Sequence, residues 1–262
     1  MSNAVAQHIW DVKYSRTISS EDIDALSTGA SAAMVIPGFF TEAQCTDAVE
    51  SLTAEGFDQY ENVEPPIGRI GITQFEHMSD RAGYFRKAKP ATAVRERTFR
   101  PDNDPVTQVM RVVSGARTVG AVIASETDGT PYFAGVTRHM QQALLHLDWA
   151  VRDAPGWAIS TIDAQLAWNV YLSMPERGGE LRVHDRFWTP DAENFLEPGS
   201  YGYSRDLIRG RRSITIRPSI GDLVMFNSRN FHEVLPIAGT GTRISTSSFI
   251  GITANRPPVF WS

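Results

Sequence analysis

Apolar and polar positions follow two different rhythms along this chain. In the first half, AAMVIPGFF at 32–40 is a continuous apolar run closed by Pro and Gly, which predicts a buried strand. TEAQCTDAVESLTAEGF follows with apolar positions at helical spacing, and Thr41 with Gln44 forms a capping-box signature at its start. A second helix is predicted from NDPVTQVMRVVSGA, where Asp104 can accept from the first free N–H groups and Pro105 suits the first turn, its missing N–H not being needed there. Between them, GRIGITQFEHMSDRAGYFRKA at 68–88 carries mixed signals and reads as a loop with strand pieces that covers something.

From Tyr132 onward the rhythm shortens. VTRHMQQALLHLD, QLAWNVYLS, GELRVHD, RSITIRP, DLVMFN, HEVLPI and RISTSSFIGI are strand-like runs separated by Gly, Pro and Asn turns. Evenly spaced short strands after an α-rich start predict an α+β fold, a sandwich or barrel with helices packed outside it. The pattern gives no internal repeat, no low-complexity tract and no linker that divides the chain. We therefore expect one domain over 1–262, with a helix-rich support at 1–130 and the β core at 131–262. Residues 185–212, DRFWTPDAENFLEPGSYGYSRDLIRGRR, interrupt the strands with a long polar and aromatic insertion, the form of a functional lid.

Composition narrows the partners. A net charge of −5 argues against nucleic acid or an anionic membrane, and the one dense basic cluster is RGRR at 209–212. No window approaches the length of an apolar membrane span, and no secretory pattern opens the chain, so a cytoplasmic protein with a small-molecule partner is expected. Its oligomeric state is not legible. With one cysteine, Cys45, thiolate metal clusters are excluded, and any metal falls to His, Asp or Glu.

LLHLDWA at 144–150 is where such a metal could sit. If 140–148 is one strand, Met140, Gln142, Leu144, His146 and Asp148 share a face, with His139 on the other. A His and a carboxylate two apart can take adjacent positions around an octahedral ion, and a second His from elsewhere would leave three positions open. Taken alone, the pair reads first as a core histidine and a turn aspartate, because H-x-D is common by chance. The segment SIGDLVMFNSRNFHEVLPIAGTGTRISTSSFIGI shifts that balance: a Gly-Asp turn leads into an apolar strand, His232 follows, and Arg243 with Ser245 lies beyond a Gly-rich turn.

This order resembles the Fe(II)/2-oxoglutarate-dependent oxygenases, whose motif is H-x-D, a distal His, and an Arg followed at the next-but-one position by Ser. PERGGEL at 175–181 fits the same family, and the resemblance covers roughly residue 131 to the C-terminus. ERGGELRVHDRFWTP, GDLVMFNSRNFHEV and the closing VFWS look most like the freestanding halogenases of indole-alkaloid biosynthesis. In those halogenases Gly replaces the carboxylate ligand and opens a position for chloride; here Asp148 is present. The resemblance thus implies a double-stranded β-helix, jelly-roll or cupin-like, and a hydroxylase that uses Fe(II), 2-oxoglutarate and O2 and releases succinate and CO2. It also implies His146, Asp148 and His232 as catalytic metal ligands, with Arg243 and Ser245 receiving the distal carboxylate of 2-oxoglutarate. Two alternatives stay open: a cupin-like binding protein without oxidation, and an oxygenase of peptides or proteins.

Other residues carry weaker expectations. Arg138 has the metal-facing parity and needs a partner for its buried charge, either a substrate carboxylate or a structural acid. Phe75, Trp149 and Trp188 are candidates for an apolar substrate wall or for plain core and lid packing. His184 suits the surface or a position behind the ligands, His77 reaches the site only if GITQFEHM at 71–78 forms part of a cover, and His8 cannot be placed. Gly178 and Gly179 suggest a tight turn or bulge.

Overall fold

The computed structural model describes residues 10–61 and 63–262, so His8 lies outside it. The first half contributes β1 (Val12–Tyr14), α1 (Ser20–Thr28), β2 (Ala33–Ile36), α2 (Glu42–Glu55), β3 (Asp58–Gln59), β4 (Ile67–Ile70), α3 (Arg81–Thr98), α4 (Pro105–Gly115) and β5 (Val122–Ile123). The second half contributes β6 (Val136–Met140), β7 (Ala143–His146), the short α5 (Ala150–Asp153), β8 (Ala164–Ser173), β9 (Leu181–Phe187), β10 (Ser213–Ile216), β11 (Leu223–Asn227), β12 (Asn230–Val234), β13 (Ile244–Ile252) and β14 (Val259–Trp261). Two sheets face each other. The larger runs β1-β2-β11-β8-β13-β6-β4-β3, with β14 and β5 beyond β13; the smaller runs β10-β9-β12-β7. This is the expected double-stranded β-helix.

Strand alternation explains the layering. On β8, Leu166, Trp168, Val170 and Leu172 point outward into one core with Ile23 and Leu26 of α1, Leu52 of α2 and Val109 of α4. The alternate residues Ala167 and Tyr171 pack inward with Val183 of the small sheet. The large sheet is therefore apolar on one face for helices, and mixed on the other, where a cavity can form. Both predicted helix starts hold: Gln44 N–H donates to Thr41 Oγ1 at 3.2 Å while Thr41 N–H donates to Gln44 Oε1 at 2.8 Å. At α4, Val106 N–H donates to Asp104 Oδ1 at 3.0 Å.

Several expectations need correction. The run 136–148 is not one strand. It breaks at Gln141 and Gln142, so β6 pairs with β13 and β4 in the large sheet while β7 pairs with β12 in the small one. The polar pair lets the chain leave one sheet, and Gln141 C=O accepts from Ile237 N–H at 3.0 Å outside any ladder. The first half is more than a helical support, since β1 with β2 and β4 with β3 extend both edges of the large sheet. Within 68–88 the strand piece is real, but α3 begins at Arg81. Its weak apolar stripe and internal Pro90 hide it from periodicity, although Tyr84, Ala88 and Ala91 are buried. The insertion starts at Trp188, because β9 continues to Phe187, and it is built on two 3-10 turns, Pro190–Phe195 and Arg205–Ile208.

Candidate metal and co-substrate site

His146 ends β7 and His232 sits in β12, and the two are direct partners across the antiparallel pair, which brings their ring centroids to 4.2 Å. Asp148 follows as the chain leaves the sheet. Its backbone is fixed on both sides: its N–H donates to Ser228 C=O at 3.0 Å, and its C=O accepts from Ser228 Oγ at 3.0 Å and Gln165 Nε2 at 3.2 Å. The carboxylate Oδ2 then lies 3.4 Å from His232 Nε2 and 3.9 Å from His146 Nε2. One ligand atom from each of the three residues falls within 4.8 Å of the others.

Tautomers follow from the backbone. His146 Nδ1 lies 2.7 Å from Leu144 C=O, and His232 Nδ1 lies 2.9 Å from Asn230 C=O. A carbonyl only accepts, so both Nδ1 atoms carry the proton, and in the neutral rings both Nε2 lone pairs face Asp148. Burial pushes His146 down to about 4, and the neighbouring His232 pushes the same way. Burial alone would raise Asp148, but the adjacent His232 and His146 and the Arg138 guanidinium hold its carboxyl at about 2. At neutral pH the site offers one neutral imidazole, His146, beside an anionic carboxylate, the donor chemistry of a facial Fe(II) site.

Arg243 lies immediately before β13, on the opposite sheet. It is 2% exposed, and its guanidinium finds only neutral partners: Gly179 C=O at 3.1 Å, Ser245 Oγ and Tyr171 Oη each at 3.4 Å, and the Tyr171 ring face at 5.0 Å. Among the described residues no carboxylate pairs with it, and such a buried charge needs an anionic ligand. Gly179, at φ +75°, lets the strap preceding β9 pass close by, where a Cβ would already stand 3.3 Å from Arg243 Cδ. A ferrous ion and a dicarboxylate fit these two groups of donors.

Two connected cavities meet at the histidines. The inner one, about 110 Å³, lies between the sheets and reaches from His146, Asp148 and His232 to Arg243 and Asn169. The outer one, about 450 Å³, is walled by the 73–78 segment, by Trp149 and by residues 196–203 of the insertion. Ile67, Arg138, His146, Asp148, Tyr201 and Phe249 belong to both.

Phe75 and Trp149 line the outer chamber as expected. Trp188 lines neither cavity: its indole N–H donates to Glu193 at 2.6 Å and its ring lies under Arg152, so it packs the insertion. Arg138 reaches both cavities although it stands on the large sheet and His146 on the small one, because the sheets face each other. His139 points the other way, edge-on to Phe57. His184 is buried, 3.1 Å from Glu233 Oε1, and lines neither cavity. The cover over the site is real, but His77 packs on Tyr84 rather than lining it. The sequence reading missed Gln165, Asn169 and Tyr171, all inward positions of QLAWNVYLS that the alternation of β8 could have supplied. It also missed Tyr201, whose Oη accepts from Leu144 N–H at 2.9 Å and whose ring stands edge-on to His146.

Residues 11–262 match the sequence profile of the family described as the carrier-protein-independent halogenase WelO5. The chain is 40% identical over 215 residues to the leucinostatins biosynthesis cluster protein S of Purpureocillium lilacinum, covering 77% of this chain and 88% of that one. It is 28% identical over 254 residues to the L-γ-glutamyl-L-propargylglycine hydroxylase of Streptantibioticus cattleyicolor, covering 92% and 91%. In three dimensions it is similar to an N-substituted L-amino acid dioxygenase from Burkholderia ambifaria, with a TM-score of 0.64 at 16% identity over 93% and 91% of the two chains.

Proposed function

Because this chain belongs to the WelO5 family of halogenases within the Fe(II)/2-oxoglutarate oxygenases and yet keeps a carboxylate between its two histidines, we propose that it hydroxylates an unactivated C–H bond of a free small molecule. The observation that carries this reading is Asp148, whose carboxylate faces both Nε2 atoms where the halogenases have Gly. When bound, Fe(II) and 2-oxoglutarate supply the oxidising power, with O2 as oxidant and succinate and CO2 released.

The chain's own residues do the positioning. His146, Asp148 and His232 hold the metal on one side, and the Leu144 and Asn230 carbonyls fix the imidazole orientation. Arg243, with Ser245 and Tyr171, receives the distal carboxylate, where a planar guanidinium can donate two parallel hydrogen bonds. The insertion walls one side of the outer chamber with Leu196, Tyr201 and Tyr203. A chamber of about 450 Å³ suits a small molecule. The Streptantibioticus relative is a hydroxylase of an amino-acid derivative, which supports that substrate class.

The test is an anaerobic titration of metal-free protein with Fe(II) and then 2-oxoglutarate, following the visible charge-transfer band of the chelate. The wild type is expected to develop the band. Arg243→Ala is expected to need about tenfold or more 2-oxoglutarate for it while binding Fe(II) equally. Tight metal binding with no band in the wild type would replace the oxygenase reading with a non-oxidising cupin.

A further inference from the structure

The outer chamber carries an unanswered charge. Three arginines (Arg138, Arg152 and Arg243) and two aspartates (Asp148 and Asp153) line the two cavities. A ferrous ion and a doubly charged 2-oxoglutarate cancel each other, so among the groups that line the cavities one arginine is left without an acid. That charge can be located. Arg243 and Asp148 are the groups assigned to the co-substrate and the metal. Arg152 is matched at the chamber rim by Asp153 at 2.5 Å, with Glu193 at 2.8 Å on its outer side. Arg138 remains.

Arg138 is held without being neutralised. Its Nε–H donates to Tyr60 Oη at 2.9 Å, one terminal nitrogen donates to Ser247 Oγ, and the guanidinium lies 5.9 Å from the centre of the Tyr60 ring. Among the described residues no carboxylate lies within ion-pair distance, and the second terminal nitrogen makes no hydrogen bond. Arg69, its partner across the β4–β6 ladder, uses its own charge on Glu76 at 2.7 Å. Two neutral hydroxyls thus orient the guanidinium through Nε and one terminal nitrogen and leave the other terminal nitrogen free, beside the metal ligands and at the junction of both chambers. Much of the outer wall is apolar and aromatic, including Val63, Phe75, Met78, Trp149, Phe249 and Trp261.

Resting on the oxygenase reading above, we propose that the substrate is a carboxylate with an apolar body. Its carboxylate is received by the free terminal nitrogen of Arg138, and its body lies along the aromatic wall, which places a carbon near the carboxylate over the metal. Arg138 is then the residue that selects an acid over the corresponding amide.

The experiment uses matched pairs, N-acetyl-L-leucine and N-acetyl-L-phenylalanine against their primary amides, on the Fe(II)/2-oxoglutarate-loaded protein. Two readouts are taken: perturbation of the charge-transfer band without oxygen, and succinate release with oxygen. At least one acid is expected to perturb the band and raise succinate release, with its amide weaker by about tenfold or more. Arg138→Gln is expected to lower the acid to the level of the amide while the band itself forms normally, and Arg138→Lys to keep part of the preference. Equal responses to acid and amide, or none to either while the band forms, would overturn the proposal. Loss of the band in Arg138→Gln would also overturn it, by giving Arg138 to the co-substrate. Absence of the band in the wild type would remove the oxygenase reading and this inference with it, an outcome separable from the others.

Discussion

His146, Asp148 and His232 would hold one side of a ferrous ion and leave three positions for the co-substrate and the oxidant. Removing the carboxylate changes the count. Asp148→Ala is expected to lower succinate release on the order of 100-fold or more, measured against the wild type at saturating Fe(II). Asp148→Gly frees a position without adding a methyl group, so chloride should shift the charge-transfer band of that variant and leave the wild-type band unchanged. A chloride-induced shift in the wild type would mean that Asp148 is not a ligand. At this scale the sequence was informative where spacing encodes geometry: H-x-D, the distal His232 and the Arg243–Ser245 pair all meet across the inner cavity. It was uninformative where contact comes from a distant loop, as for Tyr60 on Arg138 or Tyr201 against His146.

Among the elements, β8 does the most organising. Its outward residues anchor the helices and its inward ones reach the site, so a cut on the outer face should disturb stability before chemistry. Trp168→Ala, at a fully buried position in the shared core, is expected to cost roughly 3–5 kcal/mol in urea unfolding. The Fe(II) stoichiometry of the surviving folded protein should be unchanged. The strap before β9 is constrained differently: Gly178 has φ +76°, and a Cβ there would meet Pro236 O at 2.1 Å, so it is fixed by backbone approach and not by side-chain packing. β8 was readable in advance because its apolar and mixed faces alternate, and β11 because its whole run is apolar and buried. The change of sheet at Gln141 was not readable, since a polar pair within a strand-like run does not show that the hydrogen-bond partners change. Nor was α3, where tertiary burial of Tyr84 outweighs a weak local pattern.

For the whole molecule, the insertion is tied to the β core by charge. Arg205, on its second 3-10 turn, donates to Glu233 at 2.7 and 3.1 Å, and His184 meets the same carboxylate from β9. Burial alone would raise Glu233, but hydrogen bonds from His184 and Arg205 hold it at about 2. A carboxyl lowered on folding contributes stability that is present above its ordinary value near 4.5 and is lost as pH falls toward 2. The metal-free wild type should therefore lose Tm between about pH 4.5 and 2 more steeply than Glu233→Gln, which begins lower at pH 7. Parallel Tm curves would remove Glu233 from this role.

The site is also divided between the two sheets: the metal ligands stand on β7, β12 and the chain just beyond β7, while Arg243 stands at the head of β13 with Tyr171 of β8. A ligand that reaches both sides acts as a strut across the sandwich. A distal carboxylate received by Arg243 would be common to 2-oxoglutarate and to succinate, so the arginine would not tell reactant from product. Discrimination would rest on the opposite sheet, with the keto group that only 2-oxoglutarate carries. Succinate would then compete with fresh 2-oxoglutarate for Arg243.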